Sequence, residues 1–106
     1  MFKKNLYITR GINETIPQDV INALWLLIHE HEGHRELDYL QVFELKTIKT
    51  KSGKSLEVKW SQEQPPFCIN VYFPSIEAEL DTKVWVICTG ENTEEEYSTM
   101  LLPEEY

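Results

Sequence analysis

Glycine is scarce. Gly11, Gly33, Gly53 and Gly90 are the four in the chain and each stands alone, so no glycine-rich loop exists to wrap a phosphate. Cysteine is scarcer still: Cys68 and Cys88 lie inside apolar, strand-like stretches, where a free thiol is expected to be a small buried hydrophobe and no disulfide is expected. No apolar run approaches the roughly 20 residues of a membrane span, and residues 6–10, which follow Lys3 and Lys4, form no signal-peptide core. The chain reads as a soluble cytoplasmic protein with no membrane partner. Basic residues nearly vanish from its second half: 61–106 hold one lysine against ten acids, while 1–60 hold nine Lys or Arg against eight acids. Net charge is −8 overall, and almost all of it belongs to the second part.

What is present describes one domain over residues 1–106. With 42% hydrophobic and 26% charged residues, the chain is too apolar for a disordered segment. Pro17 suits a first helical turn, Asp19 favours the positive end of the dipole, and Gly33 suits the stop, predicting a helix over 17–32. With Val20 at 0° and 100° per residue, Ala23, Leu24, Leu27, Ile28, Ile21 and Trp25 cover an arc of about 200°. Trp25 is the expected anchor between helix and sheet, worth about 3–5 kcal/mol on truncation. Leu26 falls among the polar positions, which marks either a second covered side or a contact with another chain.

Period-two patterns take over after Asp38. Residues 6–9, 39–48, 55–61, 67–73, 84–89 and 97–102 read as strands, with Ser52 and Gly53 turning a hairpin, 75–81 a loop or a single helical turn, and 90–96 a loop. The expected fold is α+β: an antiparallel sheet of about five to six strands packed against one main amphipathic helix.

Chemistry finds little purchase. His29, His31 and His34 are interleaved with Glu30, Glu32 and Glu36, yet the zinc-protease spacing is missed because position 33 is glycine. On a continuous helix His29 and His31 point about 160° apart. His31 and His34 converge only if the helix frays before Gly33, with Asp38 or Glu36 completing a set; otherwise these are solvated or capping imidazoles at the helix's negative end. Neither cysteine has the exposed, electropositive setting of a nucleophile, and Ser98 and Thr99 lack the glycines of a nucleophile elbow. Lys46, Lys49, Lys51, Lys54 and Lys59 could hold a phosphate backbone beside Trp60, but the acidic second half argues against a nucleic-acid partner. Glu91, Glu94, Glu95 and Glu96 crowd a later loop, and both groups read first as solvated hairpin tips.

Several blocks together resemble a known family. They are residues 7–11 (YITRG), Ile16 with Pro17, Leu24 with Trp25, residues 38–45 (DYLQVFEL) and the closing YSTMLLPEEY of 97–106. They resemble the staphylococcal-type bacterial family catalogued as domain of unknown function 960. The resemblance spans nearly the whole chain, its first and last blocks being the specific ones and 46–67 the variable stretch. It implies a small cytoplasmic protein with no established activity, and it carries over no catalytic or binding residue.

Within those blocks Gly11 permits a positive φ, and Arg10 could pair with Glu44 or the terminal carboxylates. Alternatively Arg10, Tyr7, Tyr39 and Tyr97, with Leu26 from the helix, form a recognition surface. The preferred reading is therefore a non-enzymatic protein-binding module, with a homodimer through Leu26 or an edge strand as one form of partner. No motif calls for a cofactor. Two other readings stand beside it: a metal-dependent protein using His29, His31 and His34, and an acidic nucleic-acid mimic from a mobile element.

Overall fold

The computed structural model describes residues 1–74, 76 and 79–106. The chain runs β1 (Leu6–Ile8), α1 (Arg10–Thr15), α2 (Gln18–His31), β2 (Leu40–Thr50), β3 (Gly53–Gln62), β4 (Phe67–Phe73), β5 (Asp81–Thr89) and β6 (Tyr97–Leu101), then a 3₁₀ turn at Pro103–Glu105. This is an α+β fold. One sheet takes the strands in the order β1-β6-β5-β2-β3-β4. Its pairs are antiparallel with one exception: β1 lies parallel to β6, with Tyr7 opposite Thr99. The sheet is six-stranded and mostly antiparallel, as expected, and this one parallel pair makes it mixed. Short-range hairpin signals could not reveal this pair, whose partners stand at the two ends of the chain.

The long hairpin shows why sequence pattern and register agree so well here. Leu56, Val58 and Trp60 are fully buried while Glu57 and Lys59 point the other way, as period-two alternation demands. Thr50 pairs with Gly53, so the turn residues are Lys51 and Ser52, one position earlier than expected. Gly53 takes φ +122° at the first strand position, a conformation only glycine adopts without strain. Strand β4 alternates half-buried and exposed as expected. That parity leaves Cys68 exposed, and of the two thiols Cys88 alone is buried.

Helix α2 is amphipathic, and its covered stripe is narrower than the sequence arc. Val20, Ile21, Leu24, Leu27 and Ile28 are buried, an arc of about 120° on the same wheel. Trp25 lies about 40° beyond its edge and is only half-buried, stacked on His29 at 6.4 Å. The expected core anchor is therefore a margin residue. Trp60 fills that role instead, with no exposed surface, stacked on Phe43 at 5.7 Å and edge-on to Phe67 at 5.1 Å. Leu26 is 56% exposed, on the outer side of the helix.

A second, shorter helix was not expected. Thr9 caps α1 by accepting the Ile12 N–H at 3.3 Å, the ordinary work of threonine at that position. Ile16 ends it because the residue before a proline disfavours helical backbone. Ile12 and Ile16 plug the core beside Phe2. Pro17 then serves as the cap of α2 rather than its first helical residue. At the far end Gly33 has φ +85°, the left-handed stop anticipated. Of the 75–81 stretch, positions 75, 77 and 78 lie outside the described residues; Ile76 is buried in the core. Among the described residues no helix is long and apolar enough to cross a membrane.

Both helices and the N-terminal segment contribute to a core on one side of the sheet. Among the described residues the other side has no α-helix, and the closing 3₁₀ turn lies against β5 there.

Candidate functional site

The histidines go three separate ways. His29 donates from Nε2 to the carbonyl of Phe2 at 2.6 Å, because a carbonyl can only accept. His31 donates from Nδ1 to the Leu27 carbonyl at 2.8 Å, in the last turn of α2, and sets its ring edge-on to Trp60 at 4.9 Å. His34 is exposed in the turn beyond the helix. The capping role is thus seen at His31, and the two metal candidates, His31 and His34, are not brought together. Among the described residues no group of three or more His, Cys, Asp or Glu is placed to hold a metal ion.

The lysines are likewise dispersed. Lys49 and Lys54 face each other across the hairpin near its tip, and Lys54 pairs with Glu79, holding that carboxyl below its ordinary range. Lys46 and Lys59 belong to a chequered field on the uncovered face. In one row Lys83, Glu44 and Lys59 are register neighbours; in the next, Asp81, Lys46 and Glu57. Opposite charges directly across strands stabilise a sheet by about 0.2–1 kcal/mol a pair. The five lysines therefore form no single basic patch. Because β5 runs back along β2 to end beside Leu40, the acidic loop sits at the opposite end from the hairpin tip. Glu91, Glu94 and Glu95 are exposed there, but Glu96 is turned inward, 5% exposed. It lies 3.8 Å from the amino group of Met1 and accepts the Asn92 N–H at 3.3 Å.

Arg10 pairs with Glu14 at 2.8 Å, on the outside of α1, and its side chain is 88% exposed. Neither Glu44 nor the last carboxylates hold it. Glu105 instead collects three donors: the Thr9 hydroxyl at 2.5 Å, the Leu102 N–H at 2.9 Å and the Gly11 N–H at 3.1 Å. Gly11 has no positive φ here; a Cβ at this position would stand 2.7 Å from that carboxylate and push it aside. The Thr9 hydroxyl, then the Leu102 and Gly11 amides, hold the Glu105 carboxyl below the ordinary 4.5. A depressed folded pKa means the anchorage is present above the unfolded value and is lost as pH falls through the folded one. In an NMR titration the Gly11 and Leu102 amide shifts should move together with a midpoint below 4.5. Independent midpoints, or a common one above that value, would contradict the triple contact.

What the fold does assemble is a strip of aromatic and aliphatic side chains on the uncovered face. Across four strands Tyr7, Thr99, Ile87 and Leu40 fall in one row; in the next, Leu101, Trp85 and Val42. Tyr7 and Tyr97 meet edge to face at 6.0 Å, and are 55% and 40% exposed. Trp85 meets Tyr106 at 5.8 Å. Of Arg10, Tyr7, Tyr39, Tyr97 and Leu26, the structure brings Tyr7 and Tyr97 together on this face. Leu26 is on the helical side, Arg10 is on α1, and Tyr39 is exposed at the foot of β2, its carbonyl accepting the Cys88 N–H at 2.8 Å. Trp85, Ile87, Leu40 and Val42 were missed. Their signal was legible, since residues 84–89 are apolar on both faces. The pattern suits the central strand that β5 is, but it does not separate the faces: Val84, Val86 and Cys88 are buried and Trp85 and Ile87 half-buried.

A family model described as a staphylococcal protein of unknown function, domain of unknown function 960, matches residues 5–105. Among solved structures the chain is similar to the crystal structure of a protein of unknown function from Enterococcus faecalis. The TM-score is 0.75 at 21% identity, over 99% of this chain and 94% of that one. The likeness is one of fold. No curated protein matches the chain.

Proposed function

The chain belongs to this staphylococcal family of unknown function, and we propose that it is a non-enzymatic, cytoplasmic protein-binding module acting as one domain. Its recognition surface is the uncovered face of the sheet. One observation carries the reading: α1 and α2 cover one side only, so on the other Tyr7 and Tyr97 stand exposed and Trp85, Ile87, Leu40 and Val42 half-exposed in one strip. Contiguous apolar and aromatic surface on a rigid sheet is what a protein partner buries. A net charge of −8 supports a protein over a polyanion. The two free thiols fit a reducing compartment, and the single sheet with its one core supports the one-domain reading. The metal-dependent alternative lacks converging geometry, because the Phe2 and Leu27 carbonyls and the Trp60 ring hold two of its histidines apart.

The test is capture from native cytoplasm at physiological salt. A partner should be retained by the wild type and by Leu26→Glu, which alters the helical side, and lost with the double change Tyr7→Glu and Tyr97→Glu. Capture that survives the double change, or recovery of the bait alone from wild type, would sink the assignment.

A further inference from the structure

We propose that two copies of this chain associate by antiparallel pairing of β4 with β4, centred on Asn70. The edge lies away from the aromatic strip, so the inference stands independently of the function proposed above.

Strand β4 is the free edge of the sheet. Its seven residues, FCINVYF, contain no charge, no proline and no glycine. Sheet edges are ordinarily guarded against pairing by lysine, proline, a bulge or shortness. The opposite edge, β1, is guarded by its length of three residues. On β4 none of these devices is present among the described residues, and its outer margin has no strand partner there.

The sequence of that edge names its occupant, because it reads nearly the same in both directions. About Asn70, Ile69 mirrors Val71, Cys68 mirrors Tyr72 and Phe67 mirrors Phe73. An isologous contact requires that residue i meet residue j while j meets i. Antiparallel strands related by a two-fold axis through Asn70 satisfy this with β-branched on β-branched, phenylalanine on phenylalanine and amide on amide, Cys68 meeting Tyr72. Such cross-strand pairs are the unit of sheet stability. Phe67, Ile69, Val71 and Phe73 are only half-buried at the rim of the core, and the matching side chains of a second copy would cover that rim.

Like charges do not meet in the central row, and the Arg35 guanidinium lies 4.5 Å over Phe67 at one end of the strand, far from its symmetry mate at the other. The nearest charged residue in the Asn70 row is Lys59 on β3. Lys59 and its symmetry mate would stand three strand spacings apart, about 14 Å, beyond the roughly 8–10 Å Debye length at physiological salt. The two-fold axis is perpendicular to the sheet, so both helical layers fall on one side of a continuous sheet and both uncovered faces on the other.

The experiment is sedimentation equilibrium on the full chain, from micromolar to near-millimolar concentration. Wild type should reach twice the 12.5 kDa chain mass. Asn70 is exposed, so Asn70→Lys and Asn70→Glu should each fold, checked by an unchanged far-ultraviolet spectrum and by melting at a dilution where wild type is itself monomeric. Each should be monomeric, since like charges then face each other across the axis, and an equimolar mixture should recover the dimer mass. A wild type that stays monomeric throughout overturns the proposal and leaves the edge to a foreign strand. Dimers that persist in both single variants overturn it in favour of another interface, and a mixture that stays monomeric refutes the two-fold register.

Discussion

Replacing Trp60 with alanine should lower the stability by about 3–5 kcal/mol, a large share of the 5–15 kcal/mol typical of a small domain. Trp25→Ala should cost markedly less. The indole of Trp60 is fully enclosed, touching Phe43, Phe67 and the His31 edge, and it donates from Nε1 to Gln41 Oε1 at 2.6 Å. Truncation would open a cavity at the meeting of helix and sheet and leave a buried amide oxygen without its donor. Trp25 keeps part of its ring in water before and after unfolding, so less transfer free energy is at stake. Urea midpoints followed by circular dichroism decide between them. Equal midpoints for the two variants, or a larger loss at Trp25, would return the anchor to the helix and refute the packing described.

The contrast between those two tryptophans shows what was legible in the sequence. Trp60 stood in a clean alternation with Leu56 and Val58, and period two assigns such a residue to one face without ambiguity. Trp25 stood in a helix, where a wide apolar arc does not say which part of it meets the neighbour. The same logic runs through the rest of the molecule. Hairpin partners, the half-buried β4 and the return of β6 along β5 were readable because local pattern and short connections specify them. The parallel placement of β1 was not, since nothing within residues 6–9 refers to the chain's other end. Helix α1 was overlooked although Thr9 is a good cap, because six residues give no periodicity to detect. At the candidate surface, Tyr7 and Tyr97 were identified by residue type. Trp85 and Ile87 were not singled out, because a run apolar on both faces marks a central strand without saying which face stays half-open. Glu44 or the terminal carboxylates were offered as partners of Arg10 because charge suggests charge, while the structure pairs Arg10 with Glu14 and satisfies Glu105 with a hydroxyl and two amides.

Gln41 offers the second large effect, and its dependence on pH distinguishes the cause. The residue is fully buried on the core side of β2. Its Nε2 donates to the Asp38 carbonyl and to Gln62 Oε1, both at 2.8 Å, while Oε1 accepts from Trp60. Gln62 extends the network, accepting the Asp38 N–H at 2.9 Å and donating to the carbonyls of Glu36 at 3.0 Å and Pro65 at 2.8 Å. Together the two amides fix the segment that follows α2 against the end of β3. Gln41→Leu orphans the Trp60 donor, which alone costs about 1–3 kcal/mol. Gln41→Glu keeps the shape but introduces a buried acid. Desolvation raises the folded pKa of such a group, so the protonated form is tolerated and the ionised form is penalised. Stability in that variant should then be retained below the unfolded glutamate value of about 4.3 and be lost as pH rises through the folded pKa. At neutral pH Gln41→Glu should therefore be the weaker of the two, and the gap between them should close as the solution is acidified. A gap that does not change with pH would show that position 41 reaches water, and the enclosed amide network could not be as described.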